Sequence, residues 1–223
     1  MVLSDWSDVP DRLARLSMHP SAGMVFGAIG HQWRREPPLT TDELAELESQ
    51  LDVELPAEYR SFLLQVSRGG AGPAYGLFPV QRVDGRWRWE GDGADLTGLK
   101  TLSRPFPHTD SFNPADDLPD PPGEADFDSE AKFNEAEDAY WRQHEAVVFS
   151  PEHSIGLLYL CHLGCAYRET LVISGPARGQ MWGDDTASDG GFLPLHEPDG
   201  SPTGFTRWYR GWLEQAEKQT QSQ

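Results

Sequence analysis

The sequence predicts an α+β fold in which an antiparallel-rich mixed sheet is flanked by helices. Segments with helical periodicity lie towards both ends of the chain, and short apolar segments separated by glycine-rich turns lie between them. Short connections favour antiparallel pairing of strands, and helices that precede and follow a run of strands are typical of this class. Because 223 residues fit one large domain, residues 1–223 are expected to form a single domain.

The first helices are predicted from an apolar face and from a capping motif. Residues 1–35 are expected to be partly helical, with Leu13 and Leu16 on one apolar face. A capping box, formed by the hydroxyl of Thr40 and the carboxylate of Glu43, predicts the start of the next helix. Its apolar face comprises Leu44, Leu47 and Leu51.

Two further helices are predicted from turn residues and apolar spacing. One starts at Pro56, because proline suits the first helical position, and it is expected to end at Gly69 and Gly70. Its apolar face comprises Tyr59, Phe62, Leu63 and Val66. The other spans 202–218, and we interpret its wide aromatic stripe as core packing. That stripe contains Phe205, Trp208, Tyr209, Trp212, Leu213 and Ala216.

The β structure is predicted from one hairpin signal and several short apolar runs. Asp84 and Gly85 indicate a tight turn between strands at 78–83 and 86–89. Four more strands are expected, at 147–150, 155–161, 170–174 and 180–182. The acidic stretch 185–196 lacks carboxylates at two positions that a calcium loop requires, so we interpret it as a flexible turn.

An acidic, proline-rich insertion is predicted at about 105–130, followed by a short helix at 131–144. Residues 110–138 contain 11 Asp and Glu and one Lys, so −10 of the net charge of −18 lies there. Such runs are usually solvated and mobile, although a carboxylate-rich segment can also steer a basic partner towards the protein. Our hypothesis is that a partner is contacted by Asp116, Asp117, Asp120, Glu124, Asp126 and Asp128.

Composition narrows the classes of partner and the compartment. The net charge of −18 argues against direct binding to nucleic acid or to an anionic membrane, because phosphate binding requires clusters of Lys and Arg. No apolar run approaches the ~18 residues of a membrane span. Residues 1–23 lack the apolar core of a secretory signal, and two cysteines do not make a disulfide framework. A cytoplasmic location is therefore expected.

The sequence offers little that indicates catalysis. It contains no nucleophile elbow, dinucleotide-binding glycine motif, Walker loop or His-Glu-x-x-His motif, so we predict no catalytic residue and no cofactor. Cys161, His162 and Cys165 could contribute to a zinc site, but His144, His153 or His196 would have to complete its tetrahedral geometry. Their apolar flanks favour core packing, because free cysteine behaves as a small hydrophobic residue. We predict reduced, metal-free cysteines.

Two parts of the chain resemble the SUKH superfamily (the SMI/KNR type). Residues 55–63 run Leu-Pro-Ala-Glu-Tyr-Arg-Ser-Phe-Leu and precede the glycine-rich stretch 69–77. The order of the motifs at 163–165, 171–175, 179–182 and 205–213 is also similar to that family. The resemblance implies an α+β fold. These residues are fold determinants, so the resemblance transfers no catalytic or contact residue to this chain.

The resemblance also implies a function in binding. Bacterial members of the superfamily are typically immunity proteins that neutralise a cognate polymorphic toxin by direct binding, and eukaryotic relatives are regulatory interaction proteins in cell-wall synthesis. We therefore predict a non-catalytic protein that binds a protein partner, which for an immunity protein would be a basic toxin domain. The alternatives are a cytoplasmic regulatory or scaffold protein, and an enzyme or metal protein built around Cys161, His162 and Cys165.

Overall fold

A computed structural model describes residues 5–221. Within this range four α-helices precede the first two strands, a fifth lies between the second and third strands, and a sixth follows the last strand. The helices are α1 (Val9–Ser17), α2 (Ala28–His31), α3 (Thr41–Leu51), α4 (Ala57–Gln65), α5 (Glu130–Val148) and α6 (Phe205–Gln221). The strands are β1 (Val80–Val83), β2 (Arg86–Trp89), β3 (Leu157–Gly164), β4 (Tyr167–Val172), β5 (Met181–Asp185) and β6 (Gly191–Pro194).

The strands form two sheets, and every strand pairing described is antiparallel. β1 and β2 form the expected hairpin, in which Asp84 and Gly85 both have positive φ. The second sheet has the order β3-β4-β5-β6, so each strand pairs with its neighbour in sequence. The α+β class with antiparallel strands flanked by helices is therefore confirmed.

The four-stranded sheet has a hydrophobic core on each face. Leu171 and Met181 belong to a large core that also contains residues of α1, α3, α4 and α6. Val172 and Trp182, which alternate with them along the strands, belong to a smaller core. Successive residues of a strand point to opposite faces, so we call the first face the helix side and the second the insertion side.

The ends of two predicted helices show which turn signals hold. The capping box is present, because the amide of Glu43 donates to the Thr40 hydroxyl at 3.2 Å and the Thr40 amide donates to Glu43 Oε2 at 2.8 Å. Pro56 is the N-cap of α4 rather than its first helical residue. Gly69 and Gly70 do not end α4, which stops at Gln65.

Gly69 and Gly70 have a different role from the predicted one. Both have positive φ, and a Cβ at Gly69 would lie 2.2 Å from the Cα of Pro79. A Cβ at Gly70 would lie 2.4 Å from the carbonyl oxygen of Arg34. These glycines are needed where the backbone after α4 passes close to two other segments.

Three elements differ from the prediction in the second half of the chain. The strand expected at 147–150 is wrong, because α5 extends to Val148 and buries His144 and Val148 on one face, four residues apart. The helix is therefore longer than 131–144. The stretch 185–196 is not a flexible turn throughout, because it contains the edge strand β6.

Most of the predicted core residues are buried. Leu44, Leu47, Tyr59, Phe62, Leu63, Val66 and Trp208 are all at most 9 % exposed. Trp212 is only partly buried and packs on the surface of the helix-side core. None of the helices within residues 5–221 combines the length and the apolar character that a membrane crossing requires.

Candidate functional site

The acidic insertion is held against the insertion side of the sheet by aromatic residues. Phe106 is fully buried and packs edge-on against Trp182, with ring centroids 4.9 Å apart. Phe112 stacks on Phe192 of β6 at 4.9 Å. The backbone amides of Phe112 and Phe192 donate to each other's carbonyl oxygens at 3.1 and 2.8 Å. The first part of the insertion therefore covers the exposed edge of β6, which would otherwise present unpaired backbone groups.

The six predicted partner-binding carboxylates follow this anchored part, and all six residues are exposed. Asp116 and Asp117 lie in a turn that begins at Asn113, whose side-chain oxygen accepts from the amide of Ala115 at 3.0 Å. Glu124 and Asp126 share a short 3-10 turn.

The other two of the six carboxylates, Asp120 and Asp128, lie outside these two turns. Asp128 forms an ion pair with Lys132 at 2.8 Å, one turn into α5. Asp120 lies in the irregular stretch between the two turns. The structure therefore spreads the carboxylates along the surface of one segment rather than in a single cluster.

The two cysteines occupy different environments. Cys161 is fully buried in β3, and burial raises the pKa of its thiol well above the usual value. Cys165 is exposed in the β3–β4 turn, where it has a φ of 49°, so core packing holds only for Cys161. His162 stacks on Tyr75 at 4.6 Å instead of facing the thiols as a ligand. Within residues 5–221 no group of three or more His, Cys, Asp or Glu side chains could hold a metal ion.

A cavity that the sequence analysis did not predict lies beside α6, with a volume of about 510 Å³. Its lining includes Trp208, Trp212 and Ala216 of α6, and the loops around Val25 and Pro73. Three carboxylates and one guanidinium also line it: Glu169, Glu197, Glu214 and Arg207. The cavity is therefore apolar with a net negative charge.

Glu169 has an unusual position for a carboxylate. Its Oε2 accepts a hydrogen bond from Trp208 Nε1 at 3.1 Å, and the Sγ of Cys161 lies 3.6 Å from the same oxygen. Burial raises the pKa of Glu169 above its usual value of 4.5, and these two hydrogen bonds oppose that rise. Glu169 thus lines the cavity as a carboxylate that has two hydrogen-bond donors but no positively charged partner among them.

The segment that carries Phe26, which lines the cavity, also bears other exposed apolar side chains. Phe26 is 59 % exposed and packs against Tyr75 with ring centroids 5.4 Å apart. Met24 and Ile29, on either side of Phe26 in sequence, are also exposed. These three exposed apolar side chains lie within the short segment 24–29, and exposed apolar patches are typical of protein–protein interaction sites.

Most of the central part of the chain matches a known protein family. The model of the SMI1 / KNR4 family (SUKH-1) matches residues 38–165, which is more than half of the chain. The chain belongs to this family. No curated protein and no solved structure matches the chain. The family is associated with immunity proteins, in agreement with the resemblance seen in the sequence.

The residues matched by the SMI1 / KNR4 model contain one of the two candidate surfaces but only part of the other. The match includes the acidic insertion, and it ends at Cys165. Glu169 and all of α6 lie beyond it. The motifs at 171–213 that contributed to the resemblance are therefore outside the matched residues.

One sequence signal could have pointed to the cavity. In a strand, residues two apart lie on the same face, and Leu171 and Ile173 are buried in the helix-side core. Glu169 has the same parity as these two residues, so strand alternation places a carboxylate on the face that is otherwise apolar. The partial exposure of Trp212 could not be predicted in this way, because its spacing along α6 does not distinguish it from the buried aromatic residues.

Proposed function

We propose that this member of the SMI1 / KNR4 family is a cytoplasmic immunity protein that neutralises a cognate toxin by binding it directly, without catalysis. Family membership over residues 38–165 carries this proposal. The partner is a basic toxin domain, and the protein binds neither nucleic acid nor membrane directly. The toxin contact on this chain includes the acidic insertion.

Exposure, anchoring and charge support a role for the acidic insertion. The six carboxylates are exposed, and the aromatic anchors Phe106 and Phe112 precede them in sequence. Nuclease toxins need basic surfaces to hold phosphates. Residues 110–138, which contain the six carboxylates and the first part of α5, carry a net charge of −10 and attract such a surface over a distance comparable to the Debye length.

The proposal is tested first by capture and rescue. The full chain is used to capture proteins from its native host, and each captured protein is expressed in a bacterial test strain. We expect one captured protein to arrest growth and co-expression of this chain to restore it. A captured partner that is harmless when expressed alone would contradict the toxin proposal and favour the regulatory alternative.

The contribution of the acidic insertion is tested by neutralising the six carboxylates to Asn or Gln. We expect slower association with the captured toxin and a weaker dependence of the association rate on salt, because rim charges act mainly on association. The matched control neutralises six exposed carboxylates elsewhere: Asp11, Asp42, Asp52, Asp84, Asp95 and Glu145. Asp52 and Asp84 have positive φ, a conformation that asparagine tolerates.

The two variants have the same net charge, so their comparison separates a local effect from a global one. If both slow association equally, only the total charge of the protein matters. If the insertion variant associates at the parental rate with the parental salt dependence, the insertion is a solvated segment without a docking role.

A further inference from the structure

The cavity beside α6 has walls fixed by close backbone packing. Gly27 has a φ of 76°, and a Cβ there would lie 1.8 Å from the carbonyl oxygen of Ala74. The loop that carries Phe26 is therefore tightly packed against the loop that carries Tyr75. On the other side, Trp212 stacks on the buried Trp33 with ring centroids 5.9 Å apart. A cavity between such walls is largely formed before a partner binds, which lowers the entropic cost of binding.

The charges that line the cavity favour a cation. Arg207 forms an ion pair with Glu197 at 2.9 Å, and the Thr203 hydroxyl donates to Glu197 Oε1 at 2.9 Å. Glu197 is thus compensated within the chain. Glu169 and Glu214 leave the lining with a net charge of −2 when both are ionised.

Glu169 is the group whose chemistry selects the cation. Its two hydrogen-bond donors are an indole N–H and a thiol, which are neutral and supply no positive charge. A guanidinium would supply that charge, and its planar form would also stack on an exposed aromatic face. Tryptophan, tyrosine and arginine are the residues most often found at the energetic centre of protein interfaces.

We propose that this cavity binds an arginine side chain of a partner protein, with the guanidinium on Glu169 and a neighbouring apolar residue on Phe26 and Trp212. The proposal rests on the proposed function, since it assumes a protein partner. It adds a second contact to the acidic insertion, with a different chemistry. The insertion attracts positive charge at long range, and the cavity accepts one arginine with its apolar neighbour.

The test uses a phage-displayed library of random peptides selected on the full chain, so it does not depend on the toxin. We expect enriched peptides to share an arginine next to an aromatic or aliphatic residue. The leading peptide should bind Glu169→Gln about tenfold more weakly or worse, because a charge-assisted hydrogen bond is lost. Replacing its arginine by citrulline, which is uncharged, should have a similar effect on the wild-type chain.

Two further variants locate the peptide on the chain. Phe26→Ala should also weaken binding, and because this side chain is 59 % exposed, the fold should tolerate the change. Glu145→Gln, an exposed carboxylate on α5, should leave the affinity unchanged. Thermal melting of each variant checks that the fold is retained.

The proposal is overturned if no peptide is enriched, if enriched peptides lack a basic residue, or if Glu169→Gln and Phe26→Ala bind them normally. These failures differ from failure of the proposed function. If the chain rescues growth from a captured toxin but no peptide is enriched, the arginine site in the cavity is rejected and the immunity role stands. If enriched peptides need their arginine for binding but every captured partner is harmless, the arginine site is supported and the toxin proposal is contradicted.

Discussion

The two faces of the four-stranded sheet are covered in different ways. On the helix side, four helices with regular apolar spacing build a large core in which aromatic rings interlock. On the insertion side, a segment without regular secondary structure covers a small core with Phe106 and Phe112. The difference suggests that stability depends mainly on the helix side. We therefore expect changes in the charged segment to alter stability less than changes in the helix-side core.

The largest expected effect of a single substitution is on the helix side. Phe62 is fully buried and contacts the rings of Trp6, Phe205 and Tyr209, with centroids 5.2, 5.1 and 4.7 Å away. Phe62→Ala should lower the free energy of unfolding by about 3–5 kcal/mol, because it leaves a cavity in a packed core. Urea denaturation monitored by circular dichroism measures this loss.

The corresponding change on the insertion side should have a smaller effect. Phe112 is only partly buried, although it stacks on Phe192 and on His108. Phe112→Ala should lower the free energy of unfolding by about 1–2 kcal/mol. It should also increase amide exchange in residues 110–130, because the anchor of the insertion is lost. An effect equal to that of Phe62→Ala would show that both faces matter equally for stability.

The same contrast explains what could be predicted from the sequence. The helices that bear on the large core were predicted because apolar spacing, the Thr40 capping box and the aromatic stripe of α6 are local signals. The β1–β2 hairpin was predicted because Asp84 and Gly85 determine the turn. By contrast, β6 is an edge strand of four residues whose pairing partners, β5 and Phe112, are distant in sequence or across a turn. Such pairing has no local signal.

The candidate site divides in the same way. Charge density identified the acidic insertion, because charge is visible in composition. The cavity was not found, because it requires loops at Val25 and Pro73 to meet α6 in space. The aromatic stripe on α6 correctly predicted burial of Trp208 and Tyr209, but not the partial exposure of Trp212.

Substitution of Glu169, on the helix side, should change the free energy of unfolding by a smaller amount. The informative result is whether the change raises or lowers stability. Burial raises the pKa of Glu169 in the folded state above the unfolded value of 4.5. Between these two pKa values the folded chain binds more protons than the unfolded chain, so stability falls as the pH rises through this window. Glutamine can still accept from Trp208 but carries no charge.

Glu169→Gln should therefore be at least as stable as the parent at neutral pH, and the two should converge below pH 4.5. Melting temperatures measured across this range test the prediction. A variant that is clearly less stable at neutral pH would show that the ionised carboxylate stabilises the fold. A carboxylate that lowers the stability of the fold at neutral pH would support the binding role proposed for Glu169.

The smallest expected effect concerns charges that are paired, in contrast to those of the insertion. Arg210 of α6 donates to both carboxylate oxygens of Asp8, next to α1, at 2.8 and 3.1 Å. This hydrogen bonding lowers the pKa of Asp8 to about 2. The Asp8 side chain is 47 % exposed, so solvent screens the ion pair and Asp8→Asn should lower the free energy of unfolding by less than about 1 kcal/mol.

The pH dependence of this small effect follows from the direction of the pKa shift. A carboxylate whose pKa is lowered on folding stabilises the fold above its unfolded pKa of 3.8, and the stabilisation is lost as the pH falls through about 2. The difference in unfolding free energy between the parent and Asp8→Asn should thus be constant near neutral pH and disappear in strong acid. Asp11→Asn, which removes an exposed carboxylate on α1, is the control.

Neutralising the six insertion carboxylates should leave stability unchanged or slightly raised, because mutual repulsion is relieved. If that variant is destabilised as much as Asp8→Asn, the insertion carboxylates contribute to the fold as the paired charges do, and the functional contrast between the two faces is lost.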